Sequence, residues 1–329
     1  MIVSKEQLEA GIAVVRAGVR DPRGGVFGPS SLMWSIDREA ALFAGAGRAA
    51  LLQLAHPFVA HAIAKQSSTR VDPLGRFQRT FDNVYAMVFG DLESAVASAR
   101  RVHAVHRHVH GVIDEDVGAL RRGDRYDAND EDALMWVHAT LVDSALLVYD
   151  ALVRPLTDTE RDRYYDETKR FARLFGISDA VLPPDGPAFR AYFAAMLASP
   201  AIAVGERARE TARFLLTPRR PGYAPLARWT EVMTAALLPP RLRADFQLRW
   251  GARERAIHAA SVRAFHAVYL RLPDVAREHP AYVAAKRRLG VPVASLEASA
   301  WVEHLVGSLL AQAPLRTIVK GPRRAPLPG

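Results

Sequence analysis

Apolar residues recur at intervals of three or four along most of this chain, whereas the alternating pattern of a β-strand is almost absent. Between Leu92 and about Val112, for example, valine and alanine repeat with this spacing and predict a helix. Runs rich in β-branched residues are short and isolated. The sequence therefore predicts an all-α fold built as a single large helical domain.

Glycine and proline divide the chain into three predicted regions. Residues 1–30 are predicted to form a short amphipathic helix followed by a turn-rich loop. Residues 31–315 form the helical domain, in which the prolines and glycine near 180–187 mark a break that can divide it into two halves. Residues 316–329 form a basic, proline-rich tail that we expect to be frayed.

Apolar spacing and helix-start signals give the bounds of the predicted helices. Asp91 is a predicted N-cap, and the segment Asp130-Glu-Asp132 places negative charge at the start of the helix that begins at Ala133, which favours the helix dipole. The sequence Thr157-Asp-Thr-Glu160 fits a capping box at the start of a third helix. The helices predicted within the domain are Arg38–Ala64 (interrupted at Pro57), Arg76–Phe89, Leu92–Val112, Ala133–Val153, Thr157–Gly176, Pro187–Ala198, Ala201–Leu216, Pro225–Leu238, Pro240–Leu272 and Ser295–Ala313.

The composition excludes several classes of site. Because the chain has no cysteine, it has no disulfide, no thiolate nucleophile and no iron–sulfur cluster, and any metal must bind His, Asp or Glu. No Gly-rich phosphate loop, GxSxG or HExxH motif is present. The net charge of +9 is spread over helices with acidic neighbours, and no aromatic residue interleaves the basic tail. We therefore expect no nucleic-acid partner.

The first residues, Met1 to Leu8, lack the basic start and apolar core of a secretory signal. No run of about 18 apolar residues occurs in the chain. The sequence therefore predicts a cytoplasmic protein without a transmembrane span.

The segment from Val102 to Gly111 holds four of the 11 histidines. On a helix, His103, His106 and His110 share one face and His108 points elsewhere. A neutral imidazole on a packed face can bind haem iron or another transition metal. Surface histidines without a ligand role are the alternative, and the residues alone leave both open.

Two more histidines lie in apolar segments. In the apolar run from Trp136 to Ser144, the titratable residues are His138 and Asp143. Such buried polar groups need partners, so a structural pairing competes with a role for His138 in lining a cavity. His56 precedes the helix breaker Pro57, where it can cap freed carbonyls or line the same cavity.

A basic turn follows the sequence Asp72-Pro-Leu-Gly75. Arg76, Arg79 and Thr80 fall on adjacent positions of one predicted helix. Two guanidinium groups and a hydroxyl there can bind carboxylates such as haem propionates or an anionic substrate, and a solvent-exposed basic turn is the alternative.

These segments together resemble the MpaB-type oxygenase family, formerly a domain of unknown function, whose superfamily includes latex-clearing protein, a rubber oxygenase. The resemblance covers most of residues 34–270. It rests on the histidine helix and on four further motifs, Leu51-Leu-Gln-Leu-Ala-His-Pro, Asp72-Pro-Leu-Gly-Arg-Phe-Gln-Arg-Thr80, Phe89-Gly-Asp91 and Trp136-Val-His-Ala-Thr-Leu-Val-Asp-Ser144.

The resemblance implies an all-helical, latex-clearing-protein-like fold around haem b, with one histidine as axial ligand. His106 matches that histidine in the pattern Val-x-x-x-His-x-x-Val-x-Gly, with His103 or His110 as fallbacks. The segment from Arg76 to Thr80 matches an Arg-x-x-Lys-Thr motif near the haem, but Arg79 replaces the lysine. Because arginine keeps its proton, we expect no ligand to the iron from this position.

The function that the resemblance implies is a haem b-dependent oxygenase that uses dioxygen on an apolar substrate of the isoprenoid type or a similar class. Arg76, Thr80 and His138 are its predicted catalytic residues, and Arg79 and His56 join them and His106 in binding the cofactor. An electron donor is a further partner if the reaction consumes reducing equivalents. The rival hypotheses are a non-haem metalloenzyme that uses the same histidines and a non-catalytic helical protein that binds a hydrophobic metabolite.

Overall fold

The computed structural model of the chain describes residues 1–65, 73–218 and 221–293, and within them the side chains of 73–78, 221 and 275 lie outside the description. The predicted helix Ser295–Ala313 and the predicted tail 316–329 therefore lie outside the described residues. The side chain of Arg76 does as well, although its backbone is part of a helix.

The described residues form an all-α fold with one two-stranded hairpin, which confirms the predicted fold class. The hairpin pairs β1 (His110–Val112) with β2 (Arg125–Asp127) in antiparallel register. The helices are α1 (Lys5–Gly18), α2 (Leu32–Asp37), α3 (Ala46–Leu54), α4 (Pro57–Lys65), α5 (Pro73–Phe89), α6 (Leu92–His106), α7 (Glu131–Leu152), α8 (Asp158–Arg173), α9 (Gly186–Ala198), α10 (Glu206–Leu216), α11 (Ala224–Leu237), α12 (Pro240–Asp245), α13 (Ala252–Val268), α14 (Asp274–Arg277) and α15 (Pro280–Arg288).

Side-chain caps start α6 and α8 as predicted, whereas α7 begins at Glu131, two residues before its predicted start at Ala133. The carboxylate of Asp91 accepts from the Ser94 amide at the start of α6, and that of Asp130 accepts from Ala133 at the start of α7. Thr157 forms the predicted capping box at the start of α8. Each cap satisfies a backbone N–H that has no partner inside its helix.

The predicted helix Pro240–Leu272 is wrong as a single element. It divides into α12 and α13, and Gln247 between them has a left-handed backbone with φ of 58°. The Leu248 amide donates to the carbonyl of Arg243, which closes the turn. Apolar spacing continues across this turn, so the pattern could not reveal the break. Helix α15 is an element that the pattern did not predict.

Helix α7 lies in the middle of the fold and contacts α2, α3, α8 and α13. Its Trp136 is fully buried, and the indole Nε1 donates to the carbonyl of Leu52 on α3 at 2.9 Å. One contiguous apolar cluster extends from Val3 to Ala285 and includes this helix. The predicted division of the domain near 180–187 stays a prediction.

A smaller apolar cluster lies apart from this core. Its buried members are Ile113, Val117 and Tyr126, and residues of α4 pack against them. It joins the β1–β2 hairpin to the helices. Within the described ranges, no helix has both the length and the apolar content that a membrane crossing demands.

Candidate functional site

Helices α5 and α6 form an antiparallel pair that sets the predicted basic turn beside the end of the histidine helix. Midway along the pair, the Asn83 side-chain carbonyl accepts from the Ser98 hydroxyl at 2.7 Å and from the Arg101 guanidinium at 3.1 Å. Moving one turn toward the start of α5 corresponds to moving one turn toward the end of α6. The pair therefore brings the backbone of residues 76–80 alongside that of His106.

The predicted extension of α6 to about Val112 is wrong, because the helix ends at His106. His108 lies in an exposed turn, and His110 begins β1, where it pairs with Asp127. Pairing in the hairpin takes the backbone groups that another helical turn would use. His110 therefore does not share a helical face with His103 and His106, contrary to the prediction.

Of the two histidines that remain on α6, His103 has a structural partner. Its ring is buried, and Nε2 lies 3.1 Å from the carbonyl oxygen of Val3. The ring therefore attaches the N-terminal segment to the helix. A metal ligand at this position would have to give up that contact or use the other ring nitrogen.

His106 is half-buried at the last position of α6. It follows Ala95, Ala99 and Val102 at helical intervals of three or four, and these three residues belong to or pack against the main core. The ring of His106 therefore continues the inward stripe of α6, at the end that adjoins the basic turn. Arg79 and Thr80 of that turn are exposed.

His138, in the middle of α7, is buried with neither ring nitrogen hydrogen-bonded within the described part of the chain. Its ring stacks on Phe171 of α8, with centroids 6.1 Å apart. Burial lowers the pKa of His138 to about 4, so the imidazole is neutral at pH 7. A neutral, unpartnered imidazole in an apolar core can accept or donate a hydrogen bond to a bound group.

Asp143, further along the same helix, has the structural partner that the sequence analysis expected for buried polar groups. The buried guanidinium of Arg48 donates to its carboxylate at 2.5 Å and to the Ser144 hydroxyl at 2.6 Å. The expectation of a structural pairing therefore holds for Asp143 and fails for His138 among the described residues.

His56, between α3 and α4, resembles His138 in its surroundings. It is buried, its Nδ1 has no partner in the described part of the structure, and its ring meets Phe58 edge-on at 5.4 Å. Burial lowers the pKa of His56 to about 4, although the charge of Asp130 opposes that shift. His56 thus supplies a second neutral imidazole.

A fourth buried histidine, His61, is not marked by any motif in the sequence. Its Nε2 lies 2.9 Å from Oδ1 of Asp114 and 3.8 Å from Oε1 of Glu115. One ligand atom from each of these three residues lies within 4.8 Å of the others, so the group could hold a metal ion. The two carboxylates lie about 50 positions beyond the histidine in the chain, and no local spacing motif signals their approach.

The surroundings of Asp114 hold its carboxylate ionised. Burial raises the pKa of Asp114, but hydrogen bonds from Arg207 and His61 outweigh it and the pKa is lowered overall. The Arg207 guanidinium lies 3.1 Å from Oδ2 of Asp114. This carboxylate is therefore negative over the whole neutral range.

Comparison with known proteins identifies the family to which this chain is similar. The family described as ER-bound oxygenase mpaB/B'/Rubber oxygenase, catalytic domain, matches residues 33–269. Two uncharacterised proteins, from Mycobacterium bovis and Mycobacterium tuberculosis, are each 26% identical to the chain over 213 residues, which is 62% of this chain and 80% of theirs. No solved structure matches the chain significantly.

Proposed function

The chain belongs to the mpaB and rubber oxygenase family, and from that premise we propose that it is a haem b-dependent oxygenase acting with dioxygen on an apolar, isoprenoid-like substrate. The observation that carries the proposal is the position of His106. Its ring continues the inward stripe of α6 at the end that adjoins the basic turn of α5. The proposal includes the predicted cytoplasmic location and an electron donor if the reaction consumes reducing equivalents.

The proposed haem-binding residues come from two adjoining helix ends. His106 would bind the iron through a neutral imidazole, and the guanidinium groups of Arg76 and Arg79 with the Thr80 hydroxyl would bind the propionates. Haem supplies an iron centre that binds and activates dioxygen. Because Arg79 stands where the family motif has lysine and keeps its proton, the chain offers no iron ligand at that position.

Two buried imidazoles support the fit of a bound group. Both ring nitrogens of His138 and Nδ1 of His56 are buried and have no hydrogen-bond partner among the described residues, whereas buried polar atoms normally have one. In the proposal, His56 and His138 line the apolar pocket and hydrogen-bond the bound reactants. Because both imidazoles are neutral, they place no hydrated charge in the proposed pocket, and a pocket without charge favours an apolar substrate.

An absorption spectrum tests the cofactor directly. The full chain is expressed with haem supplied, purified, and measured as isolated, after dithionite, and after dithionite with CO. We expect a Soret band with about one haem per chain and a shift of that band with CO. A colourless protein that contains stoichiometric metal without porphyrin would instead favour the non-haem rival, and one that contains neither would favour a non-catalytic binder.

A further inference from the structure

His61, Asp114 and Glu115 meet where α4, the segment after β1 and the start of α10 come together. The His61 side chain is 1% exposed, whereas those of Asp114 and Glu115 are 31% and 20% exposed. The group is therefore anchored in the interior on one side and open to solvent on the other. An ion could reach it without unfolding of the core.

The hydrogen bonds of His61 determine which ring nitrogen faces the carboxylates. Nδ1 lies 2.9 Å from the carbonyl oxygen of Pro57, which can only accept, so Nδ1 carries a hydrogen and donates. In the neutral ring, Nε2 then has a lone pair, which can accept from the Asp114 backbone amide at 3.4 Å. The same nitrogen lies 2.9 Å from the Asp114 carboxylate, which is another acceptor. Two acceptors at this distance require a proton or a cation between them.

The surroundings match the outer shell of a metal site. Ligating histidines usually donate their other N–H to a carbonyl or carboxylate, as His61 does to Pro57, and ligating carboxylates are themselves hydrogen-bonded. The Glu115 carboxylate accepts from the backbone amides of Glu206 at 2.7 Å and Arg207 at 3.2 Å. A Cβ at Gly205 would lie 2.5 Å from Oε1 of Glu115, so the glycine permits this approach.

The charges of the group leave room for a dication. Among the described residues, Asp114, Glu115 and Glu210 each supply a negative charge around the guanidinium of Arg207. The nearby Lys65 ammonium donates to the carbonyl of Val112 rather than to these carboxylates.

We propose that His61, Asp114 and Glu115 bind one divalent transition-metal ion of the Zn²⁺ class, with water completing the coordination. A separation of 2.9 Å between two ligand atoms corresponds to an angle of roughly 90° at a metal about 2.1 Å from each. The ion joins α4, the hairpin and α10 beside the small cluster of Ile113, Val117 and Tyr126. None of its three ligands belongs to the proposed haem-binding set, and the proposal does not rest on that set.

Metal binding to the haem-free full chain tests the site. The protein is stripped with a chelator and dialysed against ZnCl₂ or, separately, MnCl₂, after which bound metal per chain is measured by mass spectrometry. We expect one Zn²⁺ per chain and a rise of a few degrees in the melting temperature when Zn²⁺ is added. Glu115→Gln and His61→Gln should each weaken binding by roughly 10- to 100-fold or more.

Glu210→Gln is the matched control, because Glu210 contacts Arg207 but lies outside the three ligands, so this variant should weaken Zn²⁺ binding far less than Glu115→Gln does. Glu115→Gln keeps an oxygen that can accept from the α10 amides, so it tests the ligand even if His61→Gln fails to fold. Substoichiometric Zn²⁺ in the wild type, or equal affinity in Glu115→Gln and wild type, would overturn the proposal and leave His61 as a structural partner of Asp114. The haem spectrum of Glu115→Gln should match that of the wild type. The spectrum therefore tests the haem proposal and the Zn²⁺ measurement tests the metal proposal, each independently of the other.

Discussion

Two groups of histidines in this molecule differ in how far their rings are exposed to solvent. The crowded group, between Val102 and Gly111, ends a helix, crosses a turn and enters a hairpin, so two of its four rings are exposed. The lone group consists of His56, His61 and His138, each at most 8% exposed. A high number of histidines in one segment therefore does not mean that their rings are buried. The three single histidines, in contrast, lie at positions where folding removes the ring from water.

This difference shows where burial of an imidazole lowers the stability of the fold. An exposed ring hydrogen-bonds to water in either protonation state, but a buried ring without a partner loses that hydration. His103 offsets the loss through Val3, and His61 does so through Pro57 and Asp114. His138 has no such partner among the described residues, and this favours a bound group in its vicinity. Within the crowded group, only His106 combines a helical position with a half-buried ring facing the core.

The first prediction separates His106 from its crowded neighbours. His106→Ala should lower haem affinity on the order of 100-fold or more, because the variant loses the proposed iron ligand, whereas loss of an outer-shell group alone costs 10- to 100-fold. The measurement is titration of haem-free protein with haem, followed at the Soret band.

His108→Ala is the control for this titration, since its ring is exposed in the turn after α6. We expect wild-type haem affinity for it. If His103→Ala or His110→Ala lost the Soret band and His106→Ala kept it, the ligand would be one of the fallbacks. Equal affinity in all four variants would remove the crowded group from the haem site.

The second prediction concerns the lone group and acid stability. The folded-state pKa of His138 is about 4, below the 6.5 of the unfolded chain, so as pH falls through 6.5 the unfolded state takes up a proton that the folded state refuses until about pH 4. Stability is therefore lost between these two values. His138→Leu removes this linkage and should gain about 2 kcal/mol more over wild type at pH 5 than at pH 8.

Urea unfolding of the haem-free protein at several pH values measures this difference. His108→Gln, exposed in its turn, should give a pH profile parallel to that of the wild type. Parallel profiles for His138→Leu and the wild type would mean that the His138 ring finds a partner or water in solution.

Most of the fold follows from local signals in the sequence. Asp91 and Thr157 start helices where their capping patterns predict, because a cap involves residues only three positions apart. Breaks that depend on tertiary contacts were missed, as at Gln247 and after His106. Those ends arise from packing and strand pairing with distant residues, which apolar periodicity does not encode.

The candidate site divides in the same way. The family motifs brought His106, Arg79 and Thr80 together, and the pairing of α5 with α6 agrees with them because those residues lie on successive helices. His61 with Asp114 and Glu115 could not be predicted, because a long segment of chain separates the histidine from the carboxylates. Burial of His138 was expected from its apolar helix, but the absence of a partner within the described residues depends on how the neighbouring helices pack.

The third prediction tests whether His103 is structural. His103→Leu should destabilise the protein by about 1–2 kcal/mol, because the Val3 carbonyl loses the Nε2 donor in a buried position. His103→Gln retains an N–H donor and should recover most of that loss. Chemical unfolding at pH 7.5 measures both variants. If both variants were as stable as the wild type, the contact with Val3 would contribute nothing, and His103 would return to the set of unassigned rings.

The smallest expected effect belongs to the exposed members of the crowded group. His108→Gln combined with His110→Gln should change the free energy of unfolding by no more than about 0.5 kcal/mol, as is usual for exposed positions. The backbone pairing of residue 110 with Asp127 is retained by glutamine. Unfolding curves of the double variant, with and without haem, measure this. A loss larger than 1 kcal/mol only when haem is present would show that a ring exposed in the haem-free fold makes a contact once haem binds. The contrast between crowded and lone histidines would then hold for the haem-free protein alone.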